Sequence, residues 1–277
     1  MRNLSIVGLH GSGKTCYLYA MAETLRRGLC GLSFRTNCDG WQKIIKELRW
    51  PPGTDIGQEY TFQCLHSGSL FSDLDFLCYD YKGGILSSFD SISRMAKMDL
   101  MKYIQYSDGI IILIAADMLG RLLMNDPDAE DDLTDLYMLK EIIAQTGEKM
   151  KQIPITIAIT KSDLLNNKEN TLLFSLVKEL FPFIFNATLH LNTLIVPVSL
   201  GRNLSNNNCN SEGIVYTNPS DGNIHIPILF NLYHILDNQI KTSISFKDIA
   251  VLTSIKSIIK KALVAYANNN IIELNTI

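Results

Sequence analysis

The sequence predicts an α/β protein in three layers: a mostly parallel sheet with one antiparallel edge strand, helices on both faces, and a further C-terminal helix. Three observations carry this. Short β-branched runs alternate with longer runs of helical period, the pattern of parallel strands joined by crossover helices. The first apolar run ends in a glycine-rich loop that opens directly into an amphipathic helical run. The chain has 277 residues, 47% of them apolar and 19% charged, enough for one large α/β domain with a full core. No internal repeat is present.

The strands read in order as Asn3–Val7, Tyr60–His66, Leu74–Tyr79, Gly109–Ala115, Ile153–Ile159 and Thr193–Val198. The Gly/Ser segment Ser67–Ser72 separates the second from the third, so these two form an antiparallel hairpin on the otherwise parallel sheet. The first helix reads as Gly13–Arg27, with Leu18, Met21, Ala22 and Leu25 on one stripe. Further helical runs cover about 86–105, 129–147, 168–181 and 228–239. A last helix begins near Ser245, which has capping-box spacing to Asp248. On it Leu252, Ile255, Ile259, Ala262 and Tyr266 share a face, and Lys256, Lys260 and Lys261 form the solvated side. Packing on the domain is the preferred reading of this helix over lying on a membrane surface.

Two stretches interrupt the alternation and read as loops or insertions. Residues 28–59 hold several glycines, both tryptophans and a Pro-Pro pair, and residues 201–225 are rich in Asn, Ser and Gly. Within the second, Ile214–Tyr216 and Ile224–Ile226 flank Asn-Pro-Ser-Asp-Gly and read as a small hairpin. The organisation expected is one domain over 1–240 and a helical extension over 241–277.

A formal net charge of −3 argues against a nonspecific nucleic-acid binder, and no nucleic-acid partner is expected. The longest unbroken apolar run, Ile110–Ala116, is far short of a membrane span. The apolar residues 4–7 run into glycines rather than a cleavage site, so they read as a strand and not a signal peptide. Cysteines at 16, 30, 38, 64, 78 and 209 show no C-x-x-C spacing. Cys64 and Cys78 fall in apolar strands, as reduced buried thiols do, which favours a reducing, cytoplasmic location.

Gly8-Leu-His-Gly-Ser-Gly13-Lys14-Thr15 fits G-x-x-x-x-G-K-[ST], and it stands between the first strand and the first helix, where a phosphate-binding loop must stand. Its glycines let backbone N–H groups turn inward around phosphates, and the helix N-terminus adds a favourable dipole. Lys14 is expected to bridge β- and γ-phosphate oxygens and the Thr15 hydroxyl to ligate Mg²⁺. The nucleotide-binding set here is Gly8, His10, Gly11, Ser12, Gly13, Lys14, Thr15 and Cys16. His10 reads as a solvent-facing loop histidine, not a catalytic base.

Thr160-Lys161-Ser162-Asp163 follows the strand Ile153–Ile159, at the sheet edge where open α/β folds bind ligands. A carboxylate at Asp163 can accept the guanine N1–H and 2-amino donors, a pair that adenine lacks. The stem of Lys161 can lie along the base. The bland alternative is a helix N-cap sequence before Leu164. Ser199 and Leu200 follow the last strand and join the base set.

A second magnesium-linked carboxylate is expected at Asp80, which closes the third strand and opens Asp80-Tyr-Lys-Gly83, a D-x-x-G. A second D-x-x-G runs from Asp117 to Gly120. Asp80 is chosen because its strand should neighbour the phosphate-loop strand, and Asp117 is read as a turn cap. The Gly83 N–H would face the γ-phosphate. Thr54, in Trp50-Pro-Pro-Gly-Thr54, is the threonine expected to reach the metal, with Thr61 as the fallback. The metal set is thus Thr15, Thr54 and Asp80, and the catalytic set Lys14, Thr54 and Gly83.

In this order the segments resemble the P-loop GTPases of the translation-factor and Ras-like class, over about residues 3–240. More narrowly, Trp50-Pro-Pro-Gly-Thr54 ahead of Tyr60-Thr-Phe, and the late loop leading into Ile226-Pro-Ile-Leu, look like the double-GTPase families of bacterial conflict systems. The class implies a GTP/GDP switch or slow hydrolase with Mg²⁺, whose mobile loops contact an effector or partner subunit. The chain departs from it at Gly84, where the class often carries a water-orienting glutamine, and at Thr160, where asparagine is commoner. A GTP-loaded scaffold that hardly hydrolyses is the alternative favoured by Gly84, and an ATP-dependent kinase or ATPase is a third.

Overall fold

The structure, a computed structural model, describes residues 1–53, 57–80, 91–144, 153–164, 167–186, 191–204, 213–243, 245–269 and 273–275. Along these the chain runs β1 (Arg2–Gly8), α1 (Lys14–Arg27), β2 (Leu32–Thr36), α2 (Trp41–Glu47), β3 (Gln58–His66), β4 (Ser69–Leu70), β5 (Phe76–Asp80), α3 (Ser91–Gln105), β6 (Gly109–Ala115) and α4 (Ala116–Leu123). It continues through α5 (Glu130–Ala144), β7 (Ile155–Thr160), α6 (Asn167–Leu180), β8 (Thr193–Pro197), β9 (Gly201–Arg202), β10 (Ile214–Val215), α7 (His225–Thr242), α8 (Phe246–Asn269) and β11 (Glu273–Asn275).

The strands that read as unbroken apolar runs sit where burial is greatest. Every residue of β6, GIIILIA, and of β7, ITIAIT, is buried, which is the signature of central parallel strands covered on both faces. The sheet order is β11-β8-β7-β6-β1-β5-β3-β2. β1 runs parallel to β5 and β6, β6 to β7, and β7 to β8, whereas β3–β5, β2–β3 and β8–β11 are antiparallel.

Alternation along the strands divides the core in two. Ile110, Ile112 and Ile114 point to one face and pack with Ile104 of α3, Leu119 of α4, Leu139 of α5 and Val177 of α6. Ile111 and Leu113 point to the other, among Leu18 and Met21 of α1 and Phe230 of α7. The period of two in the strands thus produces the expected three layers.

α7 is buried along nearly its whole length because α8 covers its outer side. Leu252, Ile255, Ile259 and Leu263 supply the covering stripe, worth about 1.5–3 kcal/mol for each side chain buried. Ser245 caps α8, its hydroxyl accepting the Asp248 N–H at 3.4 Å. Lys256 is not on the solvated side as expected. Its ammonium bonds Asp237 of α7 and lies 4.8 Å from the centre of the Tyr233 ring, while Lys260 and Lys261 are exposed. On its inner side α7 is held by Asn231, whose Nδ2 donates to Thr156 Oγ1 at 3.0 Å. Gly109 makes room for it, since a Cβ there would lie 2.2 Å from Asn231 Oδ1.

Several expectations need correction. Residues 28–59 are not one long loop but contain β2, α2 and the start of β3. α2 has only two buried residues, Trp41 and Ile44, too few for a helical period to stand out. β2 lies outside β3, so the antiparallel side of the sheet is one strand wider than expected. The small hairpin does not form. Ile214–Val215 pairs with Gly201–Arg202, while Ile224 and Ile226 lie at the start of α7. Between them Asn218 accepts the Ser220 N–H at 3.3 Å and starts a 3₁₀ turn over Pro219–Gly222, which turns the chain into the helix. The segment after 241 is not purely helical, because β11 returns to pair with β8. Cys38, Cys64 and Cys78 are buried and Cys16 and Cys30 half-buried; Cys209 lies outside the described residues. Among the described residues no helix is long and apolar enough to cross a membrane.

Candidate functional site

Five parallel strands end on one edge of the sheet, and each delivers a polar side chain there. β1 leads into the glycine-rich loop, β5 ends on Asp80, Asp117 follows β6, Lys161 and Asp163 follow β7, and Ser199 follows β8. Ligands of open α/β sheets bind at this carboxyl edge.

The loop is shaped by glycine. Gly11 and Gly13 hold φ of +70° and +79°, in the left-handed region that other residues enter with strain. At Gly8 a Cβ would meet the Leu113 carbonyl and Ser12 Oγ, both at 2.6 Å, so only glycine lets the loop fold against β6. Gly13 caps α1 with no side-chain hydrogen bond, and the first turn of the helix holds no acidic residue. A helix start of that kind favours an anion.

Lys14 reaches back over the loop, its Nζ donating to the Gly8 and Leu9 carbonyls at 2.9 Å each. It is only 6% exposed, and burial pushes its pKa down from 10.5 to about 8 against the opposing pull of the Asp80 charge. The Thr15 hydroxyl donates to Asp80 Oδ2 at 2.8 Å, and Asp80 is 1% exposed. Thr15 and Asp80 offer only oxygen donors, the type a hard cation takes. Among the described residues no three His, Cys, Asp or Glu side chains gather, so a cation held here would take most of its ligands from elsewhere, such as water or a bound phosphate.

The segment after β7 is tied to this loop and to β8. Thr160 Oγ1 donates to the Ser12 carbonyl at 2.9 Å. Lys161, at φ +56°, donates to Asp117 Oδ2 at 2.9 Å, so Asp117 pairs with this lysine instead of serving merely as a turn cap. Asp163 stands in a 3₁₀ turn over Ser162–Leu164. Its Oδ1 accepts the Ser199 hydroxyl at 2.9 Å and its Oδ2 the Leu204 N–H at 3.0 Å, contacts that aim it away from a helix-capping role. Each carboxylate oxygen has a second lone pair, so a ligand with two adjacent donors can still be received.

A cavity of about 420 Å³ joins the two ends. His10, Gly11, Gly13, Lys14, Thr15 and Cys16 line it at one end, and Thr160, Lys161, Asp163, Ser199 and Leu200 at the other. The volume is in the range of small-molecule sites. Gly8 and Ser12 are not among the lining residues and act through the shape of the loop. His10 is exposed at the rim. The sequence reading missed Tyr17, Trp50, Pro51, Leu204 and Ile224, which supply an apolar wall. Tyr17 is placed by its hydroxyl, which donates to the Ile224 carbonyl at 3.2 Å. Trp50-Pro-Pro was the available signal, but nothing in it showed that it folds over the loop.

Thr54, Gly83 and Gly84 lie outside the described residues. Thr61, the fallback for Thr54, opposes Leu77 on β5, whereas Gln58 opposes Asp80. That places Thr61 three residues, roughly 10 Å, along the strand from the carboxylate. Its N–H and hydroxyl face Asn37.

No protein-family model matches the sequence, and no curated protein sequence matches it. Solved structures similar to it include Era of Aquifex aeolicus bound to GDP·AlF4⁻, at 15% identity and TM-score 0.42, covering 72% of this chain and 52% of that one. The small COPII coat GTPase Sar1 of Encephalitozoon cuniculi in complex with GDP matches at 10% identity and TM-score 0.39, over 94% of this chain and 81% of its own. Translation elongation factor SelB of Methanococcus maripaludis, in complex with the GTP analogue GppNHp, matches at 16% identity and TM-score 0.37, over 86% and 34%. The chain spans about half the length of the Era structures it matches. At these scores the likeness is loose, and what the cavity can bind is decided by its own residues.

Proposed function

We propose that the chain binds a guanine nucleotide and hydrolyses GTP to GDP and phosphate with Mg²⁺, and that the bound nucleotide switches its contacts with a partner protein. One observation carries this reading: the glycine-shaped loop with its buried lysine and the carboxylate of Asp163 open into the same cavity. The first suits a polyphosphate, and the second suits a base with two adjacent donors.

In this reading the backbone N–H groups of Gly11 to Thr15 and the Lys14 ammonium hold the phosphates and balance charge that develops as water attacks the γ-phosphate in line. Lys14 gives up its bonds to the Gly8 and Leu9 carbonyls for phosphate oxygens. Asp163 accepts the guanine N1–H and 2-amino group, with Ser199 and Leu204 holding its carboxylate in place. Trp50 and Leu200 add an apolar wall. Thr15 and Asp80 hold Mg²⁺, which when bound neutralises phosphate charge, and Thr54 and Gly83 respond to the γ-phosphate. Gly84 has no side chain to orient water, so hydrolysis by the chain alone is expected to be slow, and an arginine from a partner would raise it by about 10³–10⁵.

The test is Mg²⁺-dependent phosphate release from GTP and from ATP, with base identification of any nucleotide extracted from the purified protein. GTP preference that is lost in D163N supports the reading, and equal use of both nucleotides overturns the guanine assignment. Gly84 also favours a second reading, a scaffold that stays loaded. A single-turnover assay in which bound GTP persists for many hours would select it.

A further inference from the structure

We propose that Asp117 is a positioning residue of the base site: its carboxylate anchors the Lys161 ammonium and so fixes the lysine stem as one wall for the purine. The inference rests on the guanine-nucleotide reading of the cavity. Asp117 opens the second D-x-x-G of the chain, which the phosphate chemistry leaves unused.

Strand register explains how it reaches the base end. Ala115 of β6 is paired with Thr160 of β7, so the residues just beyond them, Asp117 and Lys161, emerge side by side at the carboxyl edge. The Lys161 Nζ donates to Asp117 Oδ2 at 2.9 Å. With the side chains 28% and 21% exposed, the pair is partly withdrawn from water, where a charge pair is screened less than on open surface. Lys161 lines the cavity and Asp117 does not, so the aspartate acts through the lysine. The Lys161 backbone sits at φ +56°, uncommon for a side chain of this size, which sets the direction in which the stem leaves the turn. Without an anchor a lysine samples many rotamers. A ligand that needs one of them then bears the loss, which corresponds to about tenfold in an equilibrium constant. The ion pair takes that loss before the ligand arrives.

The competing role for the pair is a brace between α4 and the turn after β7, and a brace has no preference for ligands with a base. The experiment measures binding of GDP and of inorganic tripolyphosphate to the full chain, as wild type, D117N, K161A and the double variant. Tripolyphosphate reaches only the phosphate loop. D117N is expected to weaken GDP about tenfold, to leave tripolyphosphate unchanged, and to have no further effect in the K161A background. A D117N variant that binds GDP like wild type, that weakens both ligands equally, or that acts equally with and without Lys161 overturns the proposal. A wild-type chain that takes tripolyphosphate but not GDP overturns the guanine reading itself, a separate outcome. If D117N melts below the assay temperature, D117S carries the same comparison.

Discussion

Thr15 and Asp80 meet across 2.8 Å, joining the first turn of α1 to the last residue of β5. They are 65 residues apart in sequence and meet because β5 lies beside β1 in parallel register, Ser5 opposite Tyr79. Strand adjacency alone does not choose between the two D-x-x-G aspartates, because β5 and β6 both flank β1; it is Asp80, at the end of β5, that bonds Thr15, while Asp117, beyond β6, bonds Lys161.

That contact leads to a test of the metal site. Replacing Asp80 with Asn should cut the Mg²⁺-dependent tightening of GDP by about 10- to 100-fold, the worth of a hydrogen bond to a charged group. Binding measured in EDTA should change far less. GDP titrations with and without the chelator check this, and equal losses in both would remove Asp80 from the metal.

Lys14 sets a pH dependence. Burial lowers its pKa to about 8 in the folded chain, against 10.5 for an unperturbed lysine. Between those values the unfolded chain binds more protons, so the stability of the ligand-free protein rises with pH over that window, and below about 8 the burial penalty is fully present. A phosphate favours the ammonium. The Lys14 contribution to nucleotide affinity should therefore be flat below about pH 8, and affinity should fall by up to tenfold per unit above it. Calorimetry at about pH 8.5 in two buffers of different ionisation enthalpy should show proton uptake on binding.

Trp50 supplies a direct reporter. The chain has two tryptophans, and Trp41 is buried under α1 and away from the cavity that Trp50 lines. Adding GDP should change the emission of wild type and of W41F, and W50F should abolish the change. A response that survives in W50F would place the ligand elsewhere.

Gly109 is a packing test remote from the ligand. A methyl group there would drive into Asn231 Oδ1 and part α7 from β6, so G109A should lose about 1–3 kcal/mol of stability, the usual toll of overpacking. The midpoint of urea unfolding measures it, and tripolyphosphate affinity should stay near wild type in buffer.

Legibility in the sequence followed the range of the signal. The six strands were readable because each is a continuous or alternating apolar run, and β6, from Gly109 to Ala115, matches its expected limits. β2 was missed because its five residues bury only Leu32 and Phe34 and follow a glycine-rich stretch. The start of α7 was misread because Ile224 and Ile226 bracket a histidine, which looks like strand alternation until Asn218 and the turn at Pro219 redirect the chain. The phosphate loop was readable because its chemistry is local, with glycines, lysine and threonine adjacent to one another. Leu204 was not, because it contributes a backbone N–H, and any residue but proline has one.

From the order of residues alone one learns that this chain alternates strands and helices, that a phosphate-type loop opens the first helix, and that acidic side chains stand at three later strand ends. These are short-range properties of periodicity and backbone freedom. Tertiary structure decided which aspartate faces Thr15, which one holds Lys161, and that Trp50 and Leu204 close the cavity. Those choices depend on strand order and register, which bring together groups dozens of residues apart and leave no mark on the local pattern.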